Sequence, residues 1–255
     1  MTTDELDRAL RQLRLSGMAE TLTVRTQQAR AESLGPHDFL GLLVHDELQR
    51  RRDRLIERRI KEAGFRDHKS LDPFNWSFNP GIDRALIFEL ATGRFIEQHD
   101  DCLILGNAGV GKSHIAQAIG VSAIHAGFRV LYREAHRLFE ELVFAAAIGE
   151  RTEMIARFTE ISLLVIDDLG MRKLPATAAE DLLEIVMRRY ERASTIITSN
   201  RPLEDWAKMF GDTPAVAAFL DRLMHHSHLI EIRGKSYRLH EASLNARQRK
   251  TRDSS

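Results

Sequence analysis

GNAGVGKS, residues Gly106 to Ser113, decides how the rest of the chain is read. The apolar run CLIL precedes it and HIAQAIG follows it, so a glycine-rich loop joins a buried strand to a helix, the context that the spacing G-x-x-x-x-G-K-[ST] requires. Glycine lets a backbone curl until successive N–H groups converge on an anion. Gly106, Asn107, Ala108, Gly109, Val110 and Gly111 are therefore expected to cradle phosphate oxygens, and the following helix offers them the positive end of its dipole. Lys112 supplies a mobile charge for the β- and γ-phosphates, and the Ser113 hydroxyl is an expected Mg²⁺ ligand.

Working outward, LLVIDDLG (Leu163 to Gly170) has the form of a Walker B element, an apolar strand ending in carboxylates. A ligand in a doubly wound sheet binds at the C-terminal ends of the strands, which sets Asp167 and Asp168 beside the phosphate loop. Asp167 is expected to hold Mg²⁺ through its hydration shell, and Asp168 to polarise the attacking water. TIITSN (Thr195 to Asn200) brings a further polar residue to the same edge. Asn200 suits either water orientation or an ordinary turn, and its chemistry alone favours neither. Further apolar runs lie at 128–133 and 229–232, and helix-length amphipathic segments separate most of the strands. That alternation predicts an α/β domain with a parallel sheet covered by helices on both faces.

Residues 1–69 read as an all-helical N-terminal domain. Leu6, Leu10 and Leu13 form one apolar stripe, Asp38 is a candidate cap for a long second helix, and Gly64 is its candidate stop. Residues 70–81, containing LDPFNWSFNPG, read as an extended linker whose Phe74, Trp76 and Phe78 alternate as if to dock on a surface. The α/β domain takes 82–255, ending in the polar tail RQRKTRDSS, expected to be mobile.

Formal net charge is zero, so any nucleic-acid binding must come from local patches. One such patch is QRRRDRLIERRIK (Gln49 to Lys61). Arg51, Arg54 and Arg58 share a helix face there, with Arg50 close to it, although Asp53 and Glu57 make a salt-bridged, solvated helix an equal reading. A second, weaker candidate for a DNA-lining element is the helix at 137–148. His225, His226 and His228 lack the spacing of a zinc cluster and read as surface residues. The single cysteine, Cys102, leaves no internal disulfide. The N-terminus carries no apolar signal core, and no uncharged apolar run approaches the roughly 20 residues of a membrane span, so a cytoplasmic, non-membrane protein is expected.

The ordered set LRLSGMAETL, FNWSFNPGID, LILGNAGVGKSHIAQAIG, LLVIDDLG, STIITSNRPLEDW and AAFLDRLMHHSHLIEIRGKSYR resembles the IstB-like transposition helper ATPases, in the IstB/DnaC branch of AAA+ ATPases, over nearly the whole length. The resemblance implies an AAA+ core that binds ATP and Mg²⁺. It implies Asn200 as sensor 1, Arg222 as an arginine finger acting on a neighbouring subunit, and Arg238 as sensor 2. It also implies assembly into a homo-oligomeric ring or spiral, duplex DNA as a partner with Arg50, Arg51, Arg54 and Arg58 as candidate contacts, and an IstA-like integrase as the transposase recruited. A full helical lid after Arg238 is not expected in this type. The DD ending of Walker B, where many AAA+ proteins have DE, leaves Asp168 one methylene shorter than the usual base.

Two other functions fit parts of the pattern. A DnaC-like loader of a replicative helicase shares the core, but LRLSGMAETL resembles the transposition helpers instead. A small-molecule kinase shares the phosphate loop, but no acceptor pocket or basic lid is evident in the sequence.

Overall fold

The computed structural model describes residues 2–211 and 214–243, so the tail at 247–255 lies outside the described residues. The chain divides into two compact units between Arg59 and Ile60.

The first unit contains α1 (Thr3–Gln12), α2 (Ser16–Ala31) and most of α3 (Pro36–Ala63). Thr2 and Glu5 form a reciprocal capping box that starts α1. Leu13, expected on its apolar stripe, is instead the exposed C-cap residue. α2 has no side-chain cap of its own, because Leu15 stands at its N-cap. Glu47 of α3 replaces one: its buried carboxylate accepts the Gly17 N–H at 2.7 Å and the Met18 N–H at 3.3 Å. Burial alone would raise the Glu47 carboxyl, but the Arg51 guanidinium and those two amides outweigh it and hold it below the usual range. The helices cross closely at Gly17, where a Cβ would lie 2.7 Å from the Glu47 Cα. Arg25 adds a bidentate pair to Asp46 at 2.7 and 2.8 Å. α3 begins at Pro36 rather than after Asp38. Proline is preorganised for a first helical position, and Asp38 sits in the first turn, where the dipole favours an acid.

The second unit holds the sheet. Its strands are β1 (Asp101–Gly106), β2 (Val130–Glu134), β3 (Leu163–Leu169), β4 (Ser194–Ser199) and β5 (Ser227–Ile232). They pair in the order β2-β3-β4-β1-β5, every pair parallel. Parallel strands need crossovers, which are α6 (Lys112–His125) after β1, α7 (Ala135–Ala147) and α8 (Arg151–Thr159) after β2, α9 (Ala178–Arg189) after β3, and α10 (Trp206–Phe210) with α11 (Pro214–His225) after β4. α4 (Arg84–Ala91) and α5 (Arg94–Gln98) precede the sheet.

Alternation along the strands assigns each face. Leu103, Leu105, Leu131, Leu164, Ile166 and Ile197 join one core with α7 to α11, around Phe139, Phe158, Trp206 and Phe219. Cys102, Ile104, Tyr132, Val165 and Ile196 have the opposite parity and are equally buried; α6 covers that side with Ile115 and Ile119. Both faces of β1, β3 and β4 are buried, which is why those strands read as continuous apolar runs, whereas the edge strand β5 leaves Leu229 and Glu231 exposed.

The chain before α4 is tied to this unit by aromatic rings. Phe65 lies against Tyr132 and over Gly120, where a Cβ would meet its ring at 2.9 Å. Phe74 meets His114 edge-on, Trp76 meets Phe88, and Phe78 meets Tyr237. Those contacts give the alternating aromatics of FNWSF their docking surface. After β5 the chain turns back, and residues 237–243 are helical.

Candidate functional site

The C-terminal ends of β1, β3 and β4 and the start of the helical stretch at 237–243 surround one cavity of about 420 Å³. The phosphate loop forms its floor. Gly106, Gly109 and Gly111 all take positive φ, and at each a Cβ would collide, with the Ile232 carbonyl, the Ser236 hydroxyl and the Phe74 ring respectively. The loop is also fastened at its crest, where the Tyr237 N–H donates to the Gly109 carbonyl at 2.9 Å. Asn79 adds a clamp: its Oδ1 accepts the Lys235 N–H at 3.1 Å and its Nδ2 faces the Val110 carbonyl at 3.5 Å. Ala108 to Ser113 line the cavity, and the Lys112 Nζ bonds back to the Asn107 carbonyl at 2.9 Å. Burial lowers the Lys112 ammonium and Arg238 lowers it further, while Asp168 and Asp167 oppose the shift.

The two Walker B acids take different positions. Asp167 is 0% exposed and does not line the cavity. Its Oδ2 accepts the Tyr132 hydroxyl at 2.6 Å and its Oδ1 accepts the Thr198 hydroxyl. Asp168 lines the cavity in a left-handed conformation, φ 58°, at a register shift between Ile166 and Leu169 that turns its carboxylate out of the strand. Its N–H donates to the same Thr198 hydroxyl at 2.9 Å. Burial raises the Asp168 carboxyl, the Asp167 charge adds to this, and Arg66, Lys112 and Arg238 counter it.

Asn200 and Arg238 also line the cavity. Asn200 Oδ1 is buried without a hydrogen-bond partner among the described residues. An orphaned acceptor is costly unless something donates to it, and Asn200 itself belongs to the cavity lining. Four cations, Lys112, Arg238, Arg66 and Lys69, line a cavity that also holds the Ser113 hydroxyl and the Asp168 carboxylate. Polyphosphate needs such cations, and Mg²⁺ takes hydroxyl, carboxylate and water oxygens, so the donor set fits both.

Arg222 is not brought to this cavity. It lies on α11 with its side chain 41% exposed, paired with Asp221, and its guanidinium is 5.7 Å from the Tyr190 ring centroid. The arginines of α3 are largely engaged: Arg50 with Glu20 at 3.0 Å, Arg51 with Glu47 at 2.7 Å, Arg54 with Glu20 at 3.9 Å. Arg58 is exposed and also has a partner. The α7 helix, the weaker candidate, exposes Val143 and Phe144, with Ile148 just beyond its end. Several residues at or beneath the site are not among those singled out by sequence as functional: Arg66, Lys69, Asn79, Tyr132 and Thr198. Only the aromatic alternation from 74 to 78 signalled that the linker meets the rest of the unit.

A parallel sheet in this order, with a phosphate loop after β1 and paired acids ending β3, defines a P-loop nucleotide-binding domain. Solved structures share the fold: that of DnaI covers 65% of this chain and 92% of its own at a TM-score of 0.56 and 22% identity. AMPPCP-bound DnaA from Aquifex aeolicus covers 66% of this chain and 51% of its own, at 0.55 and 23%. Within that class, the description "IstB-like ATP binding protein" matches residues 8–245, and the chain belongs to that family. An insertion sequence IS21 protein of Pseudomonas aeruginosa, named for ATP binding, is 36% identical over 93% of this chain and 89% of its own length. Its IS5376 counterpart from Geobacillus stearothermophilus is 34% identical over 93% and 95%. The resemblance, the fold class and ATP as the nucleotide, expected from the motifs, are thereby borne out. Among the described residues no helix is long and apolar enough to cross a membrane.

Proposed function

We propose that this ATPase is an insertion-sequence regulator that assembles on duplex DNA with ATP bound and then recruits and stimulates a partner transposase of the IstA-like integrase class. The observation that carries the reading is the split of the catalytic set. Asp168, Asn200, Lys112 and Arg238 line one cavity, whereas Arg222 stands exposed on α11 outside it. An arginine supplied by a neighbour stabilises charge on a transferring phosphoryl group, so hydrolysis would require a second subunit.

Each residue has a role on this reading. The amides of Gly106 to Gly111 and the Lys112 ammonium hold the phosphates, and Arg238 binds them from the opposite wall. Ser113 would ligate Mg²⁺ directly and Asp167 through water, held in place by Tyr132 and Thr198. Bound Mg²⁺ would supply charge neutralisation for the transferring phosphoryl group. Asp168 accepts a proton from the attacking water, and the unpartnered Asn200 oxygen accepts the other hydrogen of that water. Residues 1–69 form the DNA-binding and assembly domain, 70–81 the linker and 82–255 the ATPase domain. Arg50, Arg51, Arg54 and Arg58 would exchange their acidic partners for DNA phosphates, contacts that position the protein without reading bases. The insertion-sequence context of the IS21 and IS5376 relatives supports the transposition role.

The test is ATPase rate per subunit as protein concentration and duplex DNA are varied. The reading predicts a rate that rises with both and collapses in Arg222→Ala while nucleotide binding persists. A rate indifferent to concentration and DNA, or capture of a replicative helicase in place of a transposase, would overturn it.

A further inference from the structure

Arg66 lies outside every motif that the nucleotide reading uses, yet it lines the same cavity as Lys112 and Arg238. Its guanidinium donates to the Glu134 carboxylate at 3.1 Å and stands 3.6 Å from Asp168 Oδ2. The first contact is a hydrogen bond; the second is too long for one and is electrostatic. Neighbouring anchors fix its position: the Phe65 ring sits against Tyr132, the Asp67 N–H donates to Gln117 Oε1 at 2.9 Å, and His114 Nε2 meets the Ser70 carbonyl at 2.8 Å. Gln117 and His114 belong to α6, which starts at the phosphate loop, so the backbone on either side of Arg66 is tied to the elements that hold phosphate. The side chain itself is one-third exposed and free to exchange partners.

We infer that Arg66 is a sensor of the terminal phosphate within its own subunit, held by Glu134 and Asp168 until a nucleoside triphosphate draws it away. Incoming phosphates add several negative charges next to a cation whose present partners are three carboxylates, two of them, Asp168 and Asp67, at an electrostatic distance of 3.6 Å only. A γ-phosphate oxygen offers a shorter, charge-assisted contact than Asp168 does. The exchange also frees Asp168 from a competing cation at the stage when it is needed by water. Arg66 comes three residues after Ala63, the end of α3, and lies within the second compact unit, the one that holds the nucleotide cavity.

The inference rests on the nucleotide-site reading, and the experiment separates the two. Full-length protein is titrated with ATPγS and with ADP, each with Mg²⁺. Arg66→Ala should weaken ATPγS about tenfold and ADP less than about twofold, as expected for loss of one charged hydrogen bond to the terminal phosphate. Arg66→Lys should recover part of the difference. Glu134→Gln should tighten ATPγS a few-fold in the wild-type background and leave it unchanged in Arg66→Ala, since its effect passes through Arg66. Equal losses for both nucleotides, or unchanged binding of both, would make Arg66 a structural ion-pair residue and overturn the inference alone. Lys112→Ala, which should weaken both nucleotides, tests the site itself: wild-type protein binding neither, or binding unaffected by Lys112→Ala, would overturn the site reading and the inference together.

Discussion

Gly109→Ala separates a backbone effect from a contact effect at the crest of the phosphate loop. Gly109 has φ 81°, where an L-residue pays roughly 1–2 kcal/mol, and this part of the cost falls on stability. The new methyl would also lie 2.2 Å from Ser236 Oγ and 3.0 Å from its Cβ. Ser236 must then move, and with it the start of the helical stretch that Ser236 caps through the Leu239 N–H and that presents Arg238 to the cavity. Drawing Arg238 away from the phosphates removes a charge-assisted contact of roughly 1.5–3 kcal/mol, a loss of about 10- to 100-fold in affinity. The assay is a titration with a fluorescent ATP analogue beside a denaturant melt, in wild-type and Ser236→Gly backgrounds. Removing the Ser236 side chain removes the collision, so Gly109→Ala should cost affinity only in the wild-type background while its stability cost persists in both. Equal affinity losses in the two backgrounds would refute the contact argument.

Other consequences are as direct. Gly17→Ala places a Cβ 2.7 Å from the backbone of Glu47, so it should destabilise the helical unit by roughly 1–3 kcal/mol in a thermal melt without altering the affinity for ATP. Asp101, buried at the start of β1 with its Oδ1 accepting the Thr195 N–H, has its carboxyl raised by burial to about 7, against that hydrogen bond and the Arg189 charge. The folded chain therefore binds a proton that the unfolded chain has released between about pH 4 and 7. Stability from this group is complete below that window and declines by roughly 4 kcal/mol as pH rises through it. Asp101→Asn keeps an acceptor for Thr195 and should remove that decline from the pH dependence of the denaturation midpoint; an unchanged slope would show that Asp101 does not titrate there.

Much of this was legible in the sequence because a few positions have only one physical use. A glycine-rich turn between an apolar run and a helix binds anions, and five apolar runs separated by helical segments make a parallel sheet. The start of α3 was misplaced because Asp38 competes with Pro36 for the same signal, and proline at a first helical turn is as good a start as an acid at the cap. Arg66, Tyr132 and Thr198 were illegible for a different reason. Each acts through a partner 31 to 102 residues away on another element: Tyr132 and Thr198 through Asp167, Arg66 through Glu134 and Asp168. No local spacing encodes such pairs. The charge pattern at 49–61 left two readings open, and the structure shows Arg50, Arg51 and Arg54 already paired with acids, so DNA must compete for them.

The central claim is that one subunit completes its neighbour's site through Arg222. Mixing two inactive variants tests it most directly. Lys112→Ala lacks the phosphate cation but keeps Arg222, and Arg222→Ala has the reverse defect. ATPase activity is measured for each alone and for an equal mixture on duplex DNA with ATP. If Arg222 acts in trans, about one interface in four in the mixed assembly combines an intact phosphate loop with an intact arginine, and activity returns that neither variant has alone. A mixture no more active than the mean of its two components would contradict the account.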